Sequence, residues 1–163
     1  MMETYHDPAV VDAFRGRTVS LFLEKYNAGR MDVKPGAEEL LKFLKQQGYP
    51  LAIASSTPTE IVRQELSAAG LLDYFDRIVG GDQVSRSKPN PDIFLRAAEL
   101  LRTEPSRCIV IEDSFNGIRA AKAAGMRPVM VPDIVQPTDE IRQMAETVCS
   151  DLFDVIDYLR SLN

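Results

Sequence analysis

The chain has 163 residues, 45% of them hydrophobic and 26% charged, which is enough apolar material for one globular domain with its own core and too much for a disordered tail. A net charge of −5 gives no broad basic footprint, which argues against nucleic acid or an anionic membrane as the principal partner and leaves any anion site to be local. No apolar stretch approaches the roughly 20 residues of a membrane span, and the start "MMETYHDPAVVDAF" has neither a basic leader nor a signal-type apolar core, so the expected location is cytoplasmic.

In chain order, residues 8–30 read as helical, with Val11, Phe14, Phe22 and Tyr26 falling on one side and Gly16 weakening the run. "MDVKPG" then reads as a turn or linker. "AEELLKFLKQQG" carries apolar residues at helical spacing, with Gly48 as its stop. "LAIAS" at 51–55 reads as a buried strand. In "TPTEIVRQELSAAG" the expected start is Thr57 as N-cap, Pro58 at the first helical position and Glu60 closing a capping box, with Gly70 as terminator. "RIVGG" is a shorter strand, and "NPDIFLRAAELL" a helix with an Asn cap and a Pro at its start. "CIVIE" with "FNGIRAAKAAG", "RPVMV" with "PTDEIRQMAE", and "TVCS" with "LFDVIDYLRSL" repeat the scheme. Strands without polar alternation, separated by helices, imply an α/β fold with a doubly wound parallel sheet covered on both faces. Cys108 and Cys149 sit in apolar stretches and read as inert buried thiols rather than a disulfide or metal pair. His6 reads as a solvated residue.

In such a sheet, functional groups gather at the carboxyl ends of the strands. Three of those ends are polar in complementary ways. Ser55, Ser56 and Thr57 follow "LAIA" and lead into a helix whose first N–H groups could receive a phosphate oxygen; taken alone, they read first as a helix cap. Lys88, in "SRSKPNPDIF", precedes a proline that biases it toward an extended backbone. Its ammonium is a compact charge suited to a phosphate, although alone it is equally a solvated loop lysine. Glu112 and Asp113 end "CIVIE", and neighbouring carboxylates in such a place call for separation, protonation or a cation. A hard ion such as Mg²⁺ suits them. Because adjacent strand residues point to opposite faces, only one should be a direct ligand, and Asp113 is the choice. The plainer alternative is that Asp113 or Ser114 caps the following helix.

Taken together, these stretches resemble the haloacid dehalogenase superfamily, in its β-phosphoglucomutase and sugar-phosphate phosphatase branch. "LAIASST" is similar to that family's second motif, "SKPNPDIF" to its third and "IEDSFNGIRAAKAAGM" to its fourth, in the family's order, and the match runs from about Val33 to the C-terminus. The resemblance implies a Rossmann-like core acting on small phosphorylated metabolites. It makes Ser55 the phosphate-binding hydroxyl, Ser56 the donor of a backbone amide, Lys88 the electrostatic clamp, Asp113 a Mg²⁺ ligand and Glu112 a supporting acid near the metal.

The family's first motif, Asp-x-Asp-Gly, would supply the attacking aspartate and the general acid and base. No Asp-x-Asp occurs in these 163 residues, and Asp7 and Asp12 lie outside any apolar strand. Residues 8–30 resemble the last part of the family's cap instead. The expected organisation is therefore a partial helical cap remnant and linker over 1–32, and a core over 33–163 that lacks its first strand. A truncated phosphohydrolase or phosphomutase, inactive alone, whose full-length form or partner chain supplies the nucleophile, explains every motif. The alternative is a non-catalytic phosphate and Mg²⁺ or regulatory module; a phospho-receiver is disfavoured because its acids come at the first strand. In the resembling fold the absent strand lies between "LAIAS" and "CIVIE", so self-association or a complementing chain is expected to fill the gap.

Overall fold

In the computed structural model, which describes residues 33–162, strand and helix alternate from Gly36 onward. Gly36 adopts φ 85° and opens α1 (Ala37–Gln46). Only a residue without Cβ takes that left-handed turn freely, and side-chain atoms of Phe153 and Leu152 lie 3.1–3.2 Å from where a Cβ would stand. Then follow β1 (Ala52–Ala54), α2 (Thr59–Ala68), β2 (Arg77–Val79), α3 (Asp92–Leu101) and β3 (Ile109–Glu112). The chain continues through α4 (Phe115–Ala123), β4 (Arg127–Met130), α5 (Asp139–Met144), β5 (Thr147–Val148) and α6 (Leu152–Ser161). The cap remnant expected over 1–32, with His6, Asp7 and Asp12, lies outside the described residues.

Every strand pairing is parallel, as the unbroken apolar strands imply. The sheet, however, stands in two pieces, β2-β1 and β3-β4-β5, and no ladder joins β1 to β3 among the described residues. Ala52 to Ala54 lie opposite Arg77 to Val79. Ile109 to Glu112 lie opposite Arg127 to Met130, and Val129 lies opposite Thr147.

Helices tie the two pieces together on both faces. On one face the adjacent residues Leu40 and Leu41 of α1 divide their contacts. Leu40 packs with Val129, Val131, Val155 and Leu159, against Ile109 and Ile111. Leu41 packs with Val62 and Leu66 of α2, against Ile53 and Ile78. On the opposite face Ile93, Phe94, Ala97 and Ala98 of α3 form one continuous core with Ala52, Ala54 and Val79 from one piece and Val110 from the other. The period of two along each strand sends alternate residues to the two layers. A smaller cluster, Ile118, Met130 and Ile141, all fully buried, seats α4 and α5 beside β4.

Two helix starts differ from the expectation. Helix α2 begins at Thr59 rather than after Thr57, with Pro58 in the cap position and no cap from its own side chains; the acceptor comes instead from Asp82, beyond β2. Helix α3 starts at Asp92 without an Asn cap, because the Asn90 amide donates backward to the Ser87 carbonyl at 3.1 Å. In contrast Ser114, Thr138 and Asp151 cap α4, α5 and α6 through their side chains. Cys149 is buried and Cys108 half-buried, both as free thiols, and burial pushes both thiol pKa values up.

Candidate functional site

The loop after β1 is built by hydrogen bonds that its sequence neighbours cannot supply. Ser55 N–H continues the ladder by donating to the Val79 carbonyl at 2.9 Å. Its Oγ accepts from Thr57 N–H at 3.1 Å, which bends the chain, and Thr57 carbonyl accepts from Gly81 N–H at 3.0 Å. Asp82 Oδ1 then accepts from both Thr59 N–H (2.6 Å) and Thr59 Oγ (2.8 Å), and these bonds hold its carboxyl below the usual carboxylate range. Gly80 and Gly81 let the two loops meet: a Cβ on Gly81 would lie 2.4 Å from the Ser56 carbonyl oxygen, and one on Gly80 2.2 Å from Thr59 nitrogen. The Thr59 N–H expected to be free at this helix start is thus occupied by Asp82. Ser56 N–H has no acceptor among the described residues.

Lys88 joins the two halves of the sheet. Its Nζ donates to the carbonyl of Ala54, the last residue of β1, at 3.2 Å, and to Glu112 Oε1 at the end of β3. The ring of Phe94 lies 4.8 Å below the ammonium, a cation–π contact. Both charged side chains are nearly enclosed, at 12% and 10% exposure, so each would be costly without the other.

Glu112 is fully occupied. Besides Lys88, its Oε2 accepts from Asp113 N–H (3.1 Å), Ser114 N–H (3.0 Å) and Ser114 Oγ–H (2.8 Å). Ser114 Oγ in turn accepts from Gly117 N–H at 3.0 Å. The carboxylate lies against the first turn of α4, where the helix dipole favours it, and it fits only because residue 117 is glycine. A Cβ there would stand 2.0–2.2 Å from the carboxyl atoms.

Asp113 faces the other way and is 47% exposed, with Lys34 Nζ at 3.1 Å; the same ammonium lies 3.7 Å from Asp133. A cleft of about 240 Å³ opens here, lined by Lys34, Ile111, Glu112, Asp113, Val131 and Leu152. Lys34 and Asp133 were not foreseen. The first lies in a stretch that reads as a linker, and neither has a spacing that signals a site. Magnesium asks for one or two carboxylates and keeps several waters. Asp113 meets that demand for a largely hydrated ion, whereas Glu112 does not, since its oxygens already serve Lys88 and three donors of the loop. No group of three or more candidate ligands assembles among the described residues.

Of the five residues singled out in the sequence, Lys88 and Glu112 are in contact, and Ser55 and Asp113 each follow a residue that Lys88 holds. Ser56 is exposed on the same loop as Ser55. Comparison with known proteins identifies the family. The profile of the haloacid dehalogenase-like hydrolases matches residues 4–125. The chain is 37% identical over 156 residues to the bifunctional riboflavin kinase/FMN phosphatase of Arabidopsis thaliana, covering 95% of this chain and 40% of that protein. It is 32% identical over 146 residues to hexitol phosphatase B of Escherichia coli K12, covering 90% of this chain and 64% of that protein. Among solved structures, CbbY from Rhodobacter sphaeroides in complex with phosphate superposes with a TM-score of 0.75 at 32% identity, covering 88% of this chain and 64% of that one. In each case the chain spans less than two-thirds of its relative.

Proposed function

Since the chain belongs to the haloacid dehalogenase-like hydrolases, we propose that it binds the phosphoryl group of a small phosphate ester, such as a sugar phosphate, at the shared mouth of β1 and β3. The observation that carries this is the bridging position of Lys88, whose ammonium is fixed between the Ala54 carbonyl and Glu112. A pre-positioned cation in a nearly enclosed place stabilises phosphoryl charge without reorganisation. Ser55 O–H and Ser56 N–H add neutral donors from the opposite loop. Glu112 acts through Lys88, as a positioning group. Asp113 is the residue that would hold Mg²⁺, and such an ion would neutralise further charge on the phosphoryl oxygens.

The attacking carboxylate and the general acid have no counterpart in the sequence, which contains no Asp-x-Asp. In this proposal they come from a full-length form of the protein or from a partner chain, and the complete protein runs a phosphatase or mutase reaction through an aspartyl-phosphate. The same absence favours a second reading, a phosphate-binding module without chemistry. Calorimetric titration with inorganic phosphate and with glucose 6-phosphate tests the binding claim. Saturable binding that weakens about tenfold in Lys88→Ala is the expected result for loss of a charged hydrogen-bond donor. Binding indifferent to Lys88 refutes it.

A further inference from the structure

Lys34 reaches the site from outside the three polar strand ends, and its turn is built to deliver it. Pro35 follows and favours an extended backbone at Lys34. Gly36 then turns left-handed at φ 85°, with side-chain atoms of Phe153 and Leu152 packed where a Cβ would stand. The Lys34 carbonyl accepts from Ala37 N–H at 3.1 Å, which closes the turn onto α1. Leu40 and Leu41 in turn fix that helix against both pieces of the sheet. The backbone of Lys34 is thus placed by the fold, and its side chain meets an acid 79 residues further along the chain.

The Lys34 ammonium lies 3.1 Å from Asp113 and 3.7 Å from Asp133. An ammonium has three donors; Asp113 takes one, and Asp133 lies beyond hydrogen-bond reach. The side chain is 40% exposed, so an anion can reach the remaining donors. Lys34, Glu112 and Asp113 line the same cleft, and Glu112 also holds Lys88, so the cleft adjoins the anchored cation. A divalent ion on Asp113 would stand beside the Lys34 ammonium, and two like charges at such range repel.

We propose that Lys34 is a second phosphoryl-binding cation, standing on Asp113 in the place that a divalent ion would take. The chain then holds a phosphoryl group with two lysines and no metal, and ion and ammonium exclude each other at Asp113. Lysine suits this role, because its compact charge rides on a flexible stem and can swing from a carboxylate to a phosphoryl oxygen. The inference deepens the proposed function, on which it rests for the phosphoryl group at the mouth of β1 and β3.

Calorimetric titration of the full chain with inorganic phosphate, in metal-free buffer and again with Mg²⁺, tests this. The native chain is expected to bind alike in both. Lys34→Gln should bind about tenfold more weakly without metal, for loss of a charged donor, and recover when Mg²⁺ is added. Lys34→Arg keeps the charge and should follow the native chain. Mg²⁺ titrated alone should bind Lys34→Gln about three- to tenfold more tightly than the native chain, and the added Asp113→Ala change should abolish that binding. A merely structural ion pair gives another pattern: a lower urea midpoint in Lys34→Gln with phosphate affinity unchanged. That result overturns the inference, as does a weakening that Mg²⁺ fails to reverse, or a Mg²⁺ affinity indifferent to Lys34. Lys88→Ala separates the two claims, because it should weaken phosphate binding in both buffers. Binding that depends on Lys88 but not on Lys34 leaves the phosphate reading standing and removes this one, whereas a native chain that binds no phosphate in either buffer removes both.

Discussion

Gly117 is the residue on which the site's geometry turns. Its Cα–H faces the Glu112 carboxylate, and a methyl group placed 2.0–2.2 Å from those atoms would drive the carboxylate off Lys88 and off the start of α4. Gly117→Ala is therefore expected to destabilise the fold by about 1–3 kcal/mol in urea melts, as overpacking does, and to weaken phosphate binding as Lys88→Ala does. Asp82 offers a contrast, because it touches the Ser55 loop only through Thr59. Asp82 supplies the acceptor for the first turn of α2, so Asp82→Ala should leave the Ser55–Thr57 loop faster in hydrogen exchange, while the Lys88–Glu112 pair stays intact. Magnesium binding should be weak, and it should disappear in Asp113→Ala yet survive in Glu112→Gln. Equal loss in the two variants by calorimetry contradicts the division of roles between the neighbouring acids.

Among the elements, β4 and α6 are joined by an ion pair remote from the site. Arg127 donates from Nε to Glu146 Oε2 at 2.7 Å and from its Nη2 to Oε1, and Tyr158 O–H donates to the same Oε1. The Arg127 guanidinium and then the Tyr158 hydroxyl hold the Glu146 carboxyl down to about 2. A carboxyl depressed in the folded state contributes stability that is present above its unfolded pKa, near 4.5, and is lost as pH falls toward 2. Thermal melts between pH 5 and 2 should thus fall more steeply for the native chain than for Glu146→Gln. At pH 7 the variant should lose no more than about 1 kcal/mol, because both partners are about a third exposed. Ile141, fully buried against Ile118 and Met130, is the stronger anchor of α5, and Ile141→Ala is expected to cost about 2–5 kcal/mol.

At the scale of the whole molecule, ligand binding and stability are coupled. A ligand that binds the folded chain alone raises unfolding free energy by RT ln(1 + [L]/Kd), or about 2.7 kcal/mol at a hundredfold excess over Kd. Inorganic phosphate should accordingly shift the urea midpoint upward with its concentration, and less so in Lys88→Ala. A midpoint indifferent to phosphate would contradict the binding proposal. The alternation of strand and helix, the parallel pairing and the order of the three polar strand ends were all legible in the sequence, because burial on both faces writes itself as unbroken apolar runs and capping leaves Ser, Thr and Asp at fixed offsets. Ser114 as a cap and the opposed facing of Glu112 and Asp113 followed from the same local logic. The acceptor for Thr59, the partners of Asp113 and the clearance that Gly117 provides for Glu112 were decided by tertiary structure. Asp82 lies 23 residues from Thr59, and Lys34 lies 79 from Asp113. Contacts of that kind depend on how loops from different strands meet at one end of a sheet, and a periodicity that describes each element alone carries no record of them.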